Sequence, residues 1–218
     1  MWVTNEDEMR DDAIAARRLH TAAHKTLHTS PSMALKSTIY KAHLQIADMD
    51  RQVYVDHPLT LALHPSETEE RLMVRLLAFA LQVPGDDHRG MLQFARGLSD
   101  ADEPDLWQHD LSGQLVHWVE VGQPDERRLT KACGRSERVS VYAYGHAVPI
   151  WWAGIENKLS RLNRLNVWQL PHDQAQALSA LAQRSMQWQV TIQDGQVWIS
   201  TDQTSVTVTP VPLKVADL

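Results

Sequence analysis

From Ala34 onward, segments alternating apolar and polar residues are interleaved with segments of helical period, and this constrains the fold more than any single motif. KSTIYKAHLQI at 36–46 alternates like a half-buried strand, Asp48 and Asp50 mark a turn, and Tyr54 to Leu63 reads as a second strand. Pro58 pushes that second strand to a sheet edge or a bulge, because proline brings no N–H to a ladder. HPSETEERLMVRLLAFALQ predicts a helix starting near Glu67, with Ser66 and Glu69 at capping-box spacing, and ending near Val83, where Pro84-Gly85 breaks it. MLQFAR at 91–96 reads as a short strand. Gln123 to Gly134 predicts a helix with Pro124 in its first turn and Asp125-Glu126 at its positive end. Arg138 to Tyr144 reads as a strand, 146–161 as a helix, Asn166 to Leu170 as a strand and Asp173 to Arg184 as a helix. WQVTIQ and QVWIS flank Asp194-Gly195, a strong two-residue hairpin signal, and SVTVTPV is expected to extend that sheet. Helices interleaved with strands throughout predict a mixed α/β domain.

The 218 residues suffice for one good core and fall short of two comfortable ones. Residues 1–32, rich in alanine, charge and histidine, read as a weakly structured or helical extension ending at Ser30-Pro31-Ser32; the domain is expected over 33–218. A helix there would set His20, His24 and His28 on one face. The net charge of −6 argues against sequence-independent clinging to nucleic acid, but leaves room for a local basic patch. Cys133, the one cysteine, forbids an internal disulfide and suits a reducing compartment. No apolar run approaches the ~20 residues of a membrane span, and no secretory h-region opens the chain, so a cytoplasmic protein without a membrane partner is expected. Walker loop, GxGxxG, HExxH, CxxC and GxSxG patterns are all missing.

The chemistry concentrates in EPDLWQHDLSGQLVHWVEVG, Glu103 to Gly122. With Ser112-Gly113 as a two-residue turn, Leu111 pairs with Gln114, Trp107 with Trp118 and Asp105 with Glu120. Opposed residues hold their Cβ atoms about 4.5–5.5 Å apart, so two carboxylates there need something positive between them. A divalent cation with a preference for hard oxygen ligands answers that need. The same residues also fit a solvated loop at Asp102, Glu103 and Asp105, with Glu120 paired to Arg127 or Arg128. A third acid, Glu70, shares a helical face with Met73, Val74 and Leu77, and Glu67 lies one turn earlier. After Glu120, Arg128, Lys131 and Arg135 recur at helical spacing, with Arg127 and Arg138 nearby. That segment suits phosphate binding or transition-state charge, and equally a solvated face.

An acid on a helix, Pro-Asp entering a strand and an acid ending the next strand together resemble the PD-(D/E)XK nuclease superfamily. MALKSTIYKAHLQIADMD, HPSETEERLMVRLLAFAL, DEPDLW, WVEVGQPDERRLTKAC and IQDGQVWIS resemble, more closely, the YaeQ family, from about Met33 to the C-terminus. The resemblance implies a restriction-endonuclease-like core, a mixed sheet flanked by helices with additional β-hairpins. It implies Mg²⁺ or Mn²⁺ held by Asp105 and Glu120, with Glu70 as a further ligand. Glu70, Asp105, Glu120 and Lys131 would be the catalytic set, with Gln123 and Arg128 at the edge of the site. The implied activity is phosphodiester hydrolysis on nucleic acid bound through Arg127 to Arg138. The superfamily pattern ends acid-x-Lys, and here it reads Glu120-Val121-Gly122. That departure keeps a second expectation beside the first: a nuclease-like fold without catalysis, binding nucleic acid or protein.

Overall fold

In chain order the first elements are β1 (Thr38–Asp48), β2 (Val53–Leu63), α1 (Glu69–Gln82) and β3 (Leu92–Phe94). Next come β4 (Leu106–His109), β5 (Leu115–Val121), α2 (Glu126–Arg135), β6 (Arg138–Ala143) and α3 (Val148–Leu159). The last are β7 (Leu165–Gln169), α4 (His172–Ser179), β8 (Ser185–Gln193), β9 (Gln196–Ser200), β10 (Ser205–Val208) and β11 (Val211–Lys214). This computed structural model describes residues 37–96, 100 and 102–216. The expectations for residues 1–32, including the histidine stripe, lie outside that range.

The strands form two sheets rather than one. The first runs β10-β9-β8-β1-β2 and the second β11-β7-β6-β5-β4-β3. Within the second, β5, β6 and β7 are parallel and joined by α2 and α3, while β3, β4 and β5 are antiparallel. The α/β expectation holds at this level: among the described residues the fold is mixed α/β, with two sheets and four helices.

α1 explains how two sheets share one core. Every residue from Leu72 to Ala80 is buried, so the helix has no wet face. A helix enclosed on all sides must lie inside the protein. Its apolar side chains pack with Leu44, Ile46 and Trp188 of the first sheet and with Leu106, Val119 and Val121 of the second. The other face of the second sheet carries Trp118, Val139 and Val141 against Leu129, Ala132 and Leu159 of α2 and α3.

Several boundaries differ from the sequence reading, each for a local reason. Thr68, not Ser66, caps α1, its side chain accepting from the Arg71 N–H, while the Ser66 hydroxyl bonds the His64 ring 2.8 Å away. Asp125 caps α2, so Pro124 precedes the cap and is not in the first turn. α4 stops at Ser179, where Leu181 and Ala182 donate to Leu178 and Ser179 in tight turns. Only half of SVTVTPV extends the terminal hairpin: β10 joins β9, and past Pro210 the chain crosses so that β11 pairs with β7 of the other sheet. The Asp194-Gly195 turn is as expected, with φ of 50° and 73° at its two central residues. Pro58 lies on β2, the terminal strand of its sheet.

The hairpin at the centre of the sequence reading reaches its register by another route. Its loop is Leu111-Ser112-Gly113, closed by Asp110 N–H to the Gln114 carbonyl at 2.9 Å, with Gly113 at φ +86°. That is a three-residue loop, one longer than the Ser-Gly turn. The Asp110 carboxylate accepts from the Ser112 and Gln114 N–H groups and holds the longer loop. A bulge between Gln108 and His109 then shifts the pairing by one residue. The two departures cancel, and Trp107 pairs with Trp118 as expected.

Candidate functional site

Asp105 stands just before β4, one residue ahead of the Leu106–Val119 pair, and its carboxylate is almost wholly buried at 1% exposure. One oxygen accepts from Arg71 Nη2 at 2.6 Å, and the other accepts from the Val121 N–H at 2.7 Å. The Arg71 Nη1 donates at 2.5 Å to the Val121 carbonyl. One guanidinium thus bridges a carboxylate and a carbonyl, two hard oxygens of the kind a divalent cation takes. Arg75 Nε lies 3.7 Å from the same Asp105 oxygen, and Arg75 Nη1 donates to both oxygens of Glu67 at 2.9 and 3.0 Å. Glu67 and Asp105 against Arg71 and Arg75 make a balanced four-charge cluster between α1 and the second sheet. Burial pushes the Asp105 carboxyl up, against the pull of Arg71, Arg75 and the Val121 N–H. Both of its oxygens accept from donors, so the ionised form fits the site.

Glu120 ends up with a different helix. Its Oε1 accepts from Trp118 Nε1 at 2.6 Å and from Arg128 Nε at 2.7 Å, on the α2 side of the sheet. Arg128 also donates from Nη2 to the Glu103 carbonyl at 2.7 Å. Burial first, and then the neighbouring Asp105 charge, push Glu120 up to about 7, although Arg128 and Trp118 pull the other way. The two acids are close enough to affect one another, yet each carboxylate is bound to its own arginine.

Glu70 is half-buried and accepts from Gln176 Nε2 of α4 at 2.9 Å. The acid of this region that the fold buries and pairs is Glu67. Lys131 is bound to Asp102 at 2.5 Å, and Gln123 donates to the Tyr144 carbonyl at 3.0 Å. Among the described residues no group of three or more His, Cys, Asp or Glu converges in a way that could hold a metal ion. As the side chains stand, Mg²⁺ or Mn²⁺ would have to displace the Arg71 guanidinium to reach Asp105. Burial pushes the Cys133 thiol to about 11, as expected of a quiet packed cysteine.

The residues that organise this site, Arg71 and Arg75, were not singled out from the sequence. A signal was there: they stand four apart in RLMVRLLAFA, and Arg75 interrupts a run that leaves a helix no solvated side. A charge in such a run needs a buried partner.

Gly122, where the resemblance led to the expectation of a lysine, has φ +104°, and a Cβ there would lie 3.2 Å from Arg71 Nη1. Gly122→Lys is therefore expected to cost about 1–3 kcal/mol of stability, read from a urea midpoint, because it adds left-handed strain and presses one cation on another. A midpoint equal to wild type would show that the site has room for the lysine.

On the α2 side, a cavity of about 500 Å³ is lined by Trp118, Arg127, Arg128, Lys131 and the acids Asp102 and Asp125. The Arg128 and Arg135 guanidiniums lie 5.8 and 5.5 Å from the Trp118 ring centroid. Arg127 is exposed. The structure thus gathers Arg127, Arg128, Lys131 and Arg135 around the Trp118 ring, whereas Arg138, the last cation of the segment, bonds His117 and lines a different cavity.

The family model described as YaeQ protein matches residues 33–210. The chain is 45% identical over 177 residues to the uncharacterized protein YaeQ of Escherichia coli (strain K12), covering 81% of this chain and 95% of that one. It is 47% identical over 169 residues to the uncharacterized protein YaeQ of Salmonella typhi, covering 77% of this chain and 91% of that one. The crystal structure of the YaeQ protein from Xanthomonas axonopodis pv. citri is similar with a TM-score of 0.78 and 50% identity, over 84% of this chain and 100% of that one. That of the YaeQ protein from Pseudomonas syringae is similar with a TM-score of 0.76 and 40% identity, over 82% and 97%.

Proposed function

Because this chain belongs to the YaeQ family, whose matched relatives carry no described activity, we propose from its own geometry that it is a nucleic-acid-binding protein on a nuclease-like scaffold, working without metal-dependent hydrolysis. The observation that carries this reading is the Arg71 guanidinium, which joins Asp105 to the Val121 carbonyl in the place a cation would take. Arg128 does the corresponding work at Glu120. Gly122 in place of a lysine supports it further, since no ammonium follows the last acid to position an attacking water. The α2 cavity supports the binding half of the reading. It offers the exposed cations Arg127 and Lys131 for phosphates, beside Trp118.

A second reading has its own support. Glu120 directly follows Val119, the hairpin partner of Leu106; the Asp105 charge is near enough to raise its pKa, and it holds its proton to about 7. A group that gives up a proton near neutrality has a negative charge to offer Mg²⁺ or Mn²⁺. In that reading Asp105 and Glu120 would hold the ion, Glu70 would support it, and Lys131, Gln123 and Arg128 would flank the phosphate.

One experiment separates the two. Fluorescein-labelled single- and double-stranded DNA and RNA are titrated with the full chain, in Mn²⁺ and in chelator, with Arg127→Ala/Lys131→Ala alongside. Both residues are exposed, so the fold should survive. The binding reading expects intact oligonucleotide, affinity indifferent to chelator, and a double variant at least about tenfold weaker with a shallower salt slope. Cleavage in Mn²⁺ that chelator abolishes would overturn it in favour of the metal reading. Unchanged affinity in the double variant would remove the α2 face from the binding surface.

A further inference from the structure

The other end of the molecule carries a second cavity, of about 580 Å³, between β2, the C-terminal end of α1 and β3. Val55, Leu59, Phe79, Leu92 and Phe94 line it, with the Phe79 and Phe94 rings stacked at 5.3 Å. Both bordering strands are terminal in their sheets: β2 ends the first and β3 ends the second.

Among the described residues β2 has no strand along this border, and the hydrogen bonds of β1 show which of its backbone groups turn toward it. Lys41 and Met49 donate to Arg184 and Ile192 on the β8 side, so odd-numbered residues of β1 point toward β8. Its even-numbered residues then face β2, where Ala42 pairs with Leu59 and Leu44 with His57. The odd residues of β2 are consumed in that ladder, and Tyr54, Asp56, Pro58 and Thr60 turn their backbone groups outward. Pro58 stands at an outward position, which is why it costs the ladder nothing. Pro58 withholds one donor from that edge, and the carbonyl and N–H groups of Tyr54, Asp56 and Thr60 are left as a short template for another strand.

The rim adds a charge. Asp86 and Asp87, in the loop after α1, are exposed, line the cavity and pair with no lysine or arginine among the described residues. We propose that this groove binds an extended peptide segment of a protein partner, added as a strand to the edge of β2, with a large apolar side chain in the cavity and lysine or arginine beside Asp86 and Asp87. The backbone edge gives the extended form, the stacked phenylalanines give the apolar anchor, and the two aspartates give the sign of the flanking charge. The groove adjoins the acid–arginine cluster at Phe94, whose ring the Arg75 guanidinium overlies at 5.4 Å, and the proposal does not depend on the nucleic-acid reading.

The test uses an acetylated, amidated heptapeptide alternating lysine with valine and phenylalanine, titrated into ¹⁵N-labelled full chain. Amide shifts are expected at Tyr54, Asp56 and Thr60 and around Phe94. Two control peptides, one with glutamate for lysine and one N-methylated at alternate backbone nitrogens, should bind at least about tenfold more weakly. Asp86→Lys/Asp87→Lys, at two exposed positions, should weaken the lysine peptide by a similar factor. No shifts at millimolar peptide, or equal binding of the N-methylated control, would overturn strand addition. Equal binding of the glutamate peptide would overturn the basic partner. Shifts at β2 that grow with protein concentration in the absence of peptide would assign the edge to a second copy of this chain and overturn the proposal as well.

Discussion

Asp105→Asn is expected to destabilise the protein by about 3–5 kcal/mol, the cost of leaving a buried ion cluster with one charge unmatched. In the wild type, Glu67 and Asp105 balance Arg71 and Arg75. The asparagine oxygen can accept from Arg71 or from the Val121 N–H, but not from both, and its amide would turn a donor toward the donor left over. For a chain of this length each kcal/mol corresponds to about 2–4 °C, so the thermal midpoint should fall by about 6–20 °C. The direction discriminates between roles. Where two carboxylates await a metal they repel in its absence, and neutralising one relieves the protein. Here the neutralised acid had been holding arginines, and stability must fall. A midpoint equal to or above wild type in chelator would return the site to the metal reading.

The second large effect is a pH dependence. Glu120 is pushed up to about 7 from the ordinary 4.5 of a glutamate. The folded state therefore holds this proton more tightly than the unfolded state does. The stability it brings is fully present below about pH 4.5 and is lost as pH rises through 7, about 3 kcal/mol in all. Glu120→Gln keeps an acceptor for Trp118 and Arg128 and removes the titration. The variant should gain on wild type from pH 5 to pH 8.5, ending more stable by up to about 3 kcal/mol in urea unfolding. Wild type alone cannot be read this way, because two histidines act in the opposite sense. His117 accepts from Arg138 at Nδ1 (2.9 Å), so its proton is on Nε2, 2.8 Å from the Ser140 hydroxyl. Burial and the Arg138 charge hold its pKa well below the ordinary value, and burial likewise lowers that of His57. Both withdraw stability as pH falls through 6.5. The difference between variant and wild type cancels them. A difference that stays flat from pH 5 to pH 8.5 would show that Glu120 is ionised throughout.

A strand placed against arginines and a strand placed around a metal look alike in sequence, and that limits what could be read about the site. The Trp107–Trp118 register beside Asp105 and Glu120 was legible because hairpin register follows from local turn chemistry and side-chain alternation. Two local errors, a longer loop and a bulge, cancelled and left the register intact. Which way each carboxylate turned was not local. It depended on α1 and α2 packing on opposite faces of the second sheet, tens of residues away in the chain.

The chain's own alternation of apolar periods determined the strands, helices and mixed α/β class, since a period of two or of 3.6 expresses itself within a few residues. Pro58 at an edge and Asp194-Gly195 in a tight turn were determined in the same way, by backbone chemistry. Only the tertiary structure decided that the strands divide into two sheets, that β11 leaves its neighbour β10 for the other sheet, and that α1 is enclosed between them. From that enclosure comes the chemistry. Arg71 and Arg75 on an exposed helix would be ordinary solvated charges; on α1, with Arg75 buried and Arg71 mostly so, they must find carboxylates, and the carboxylates they found are Glu67 and Asp105.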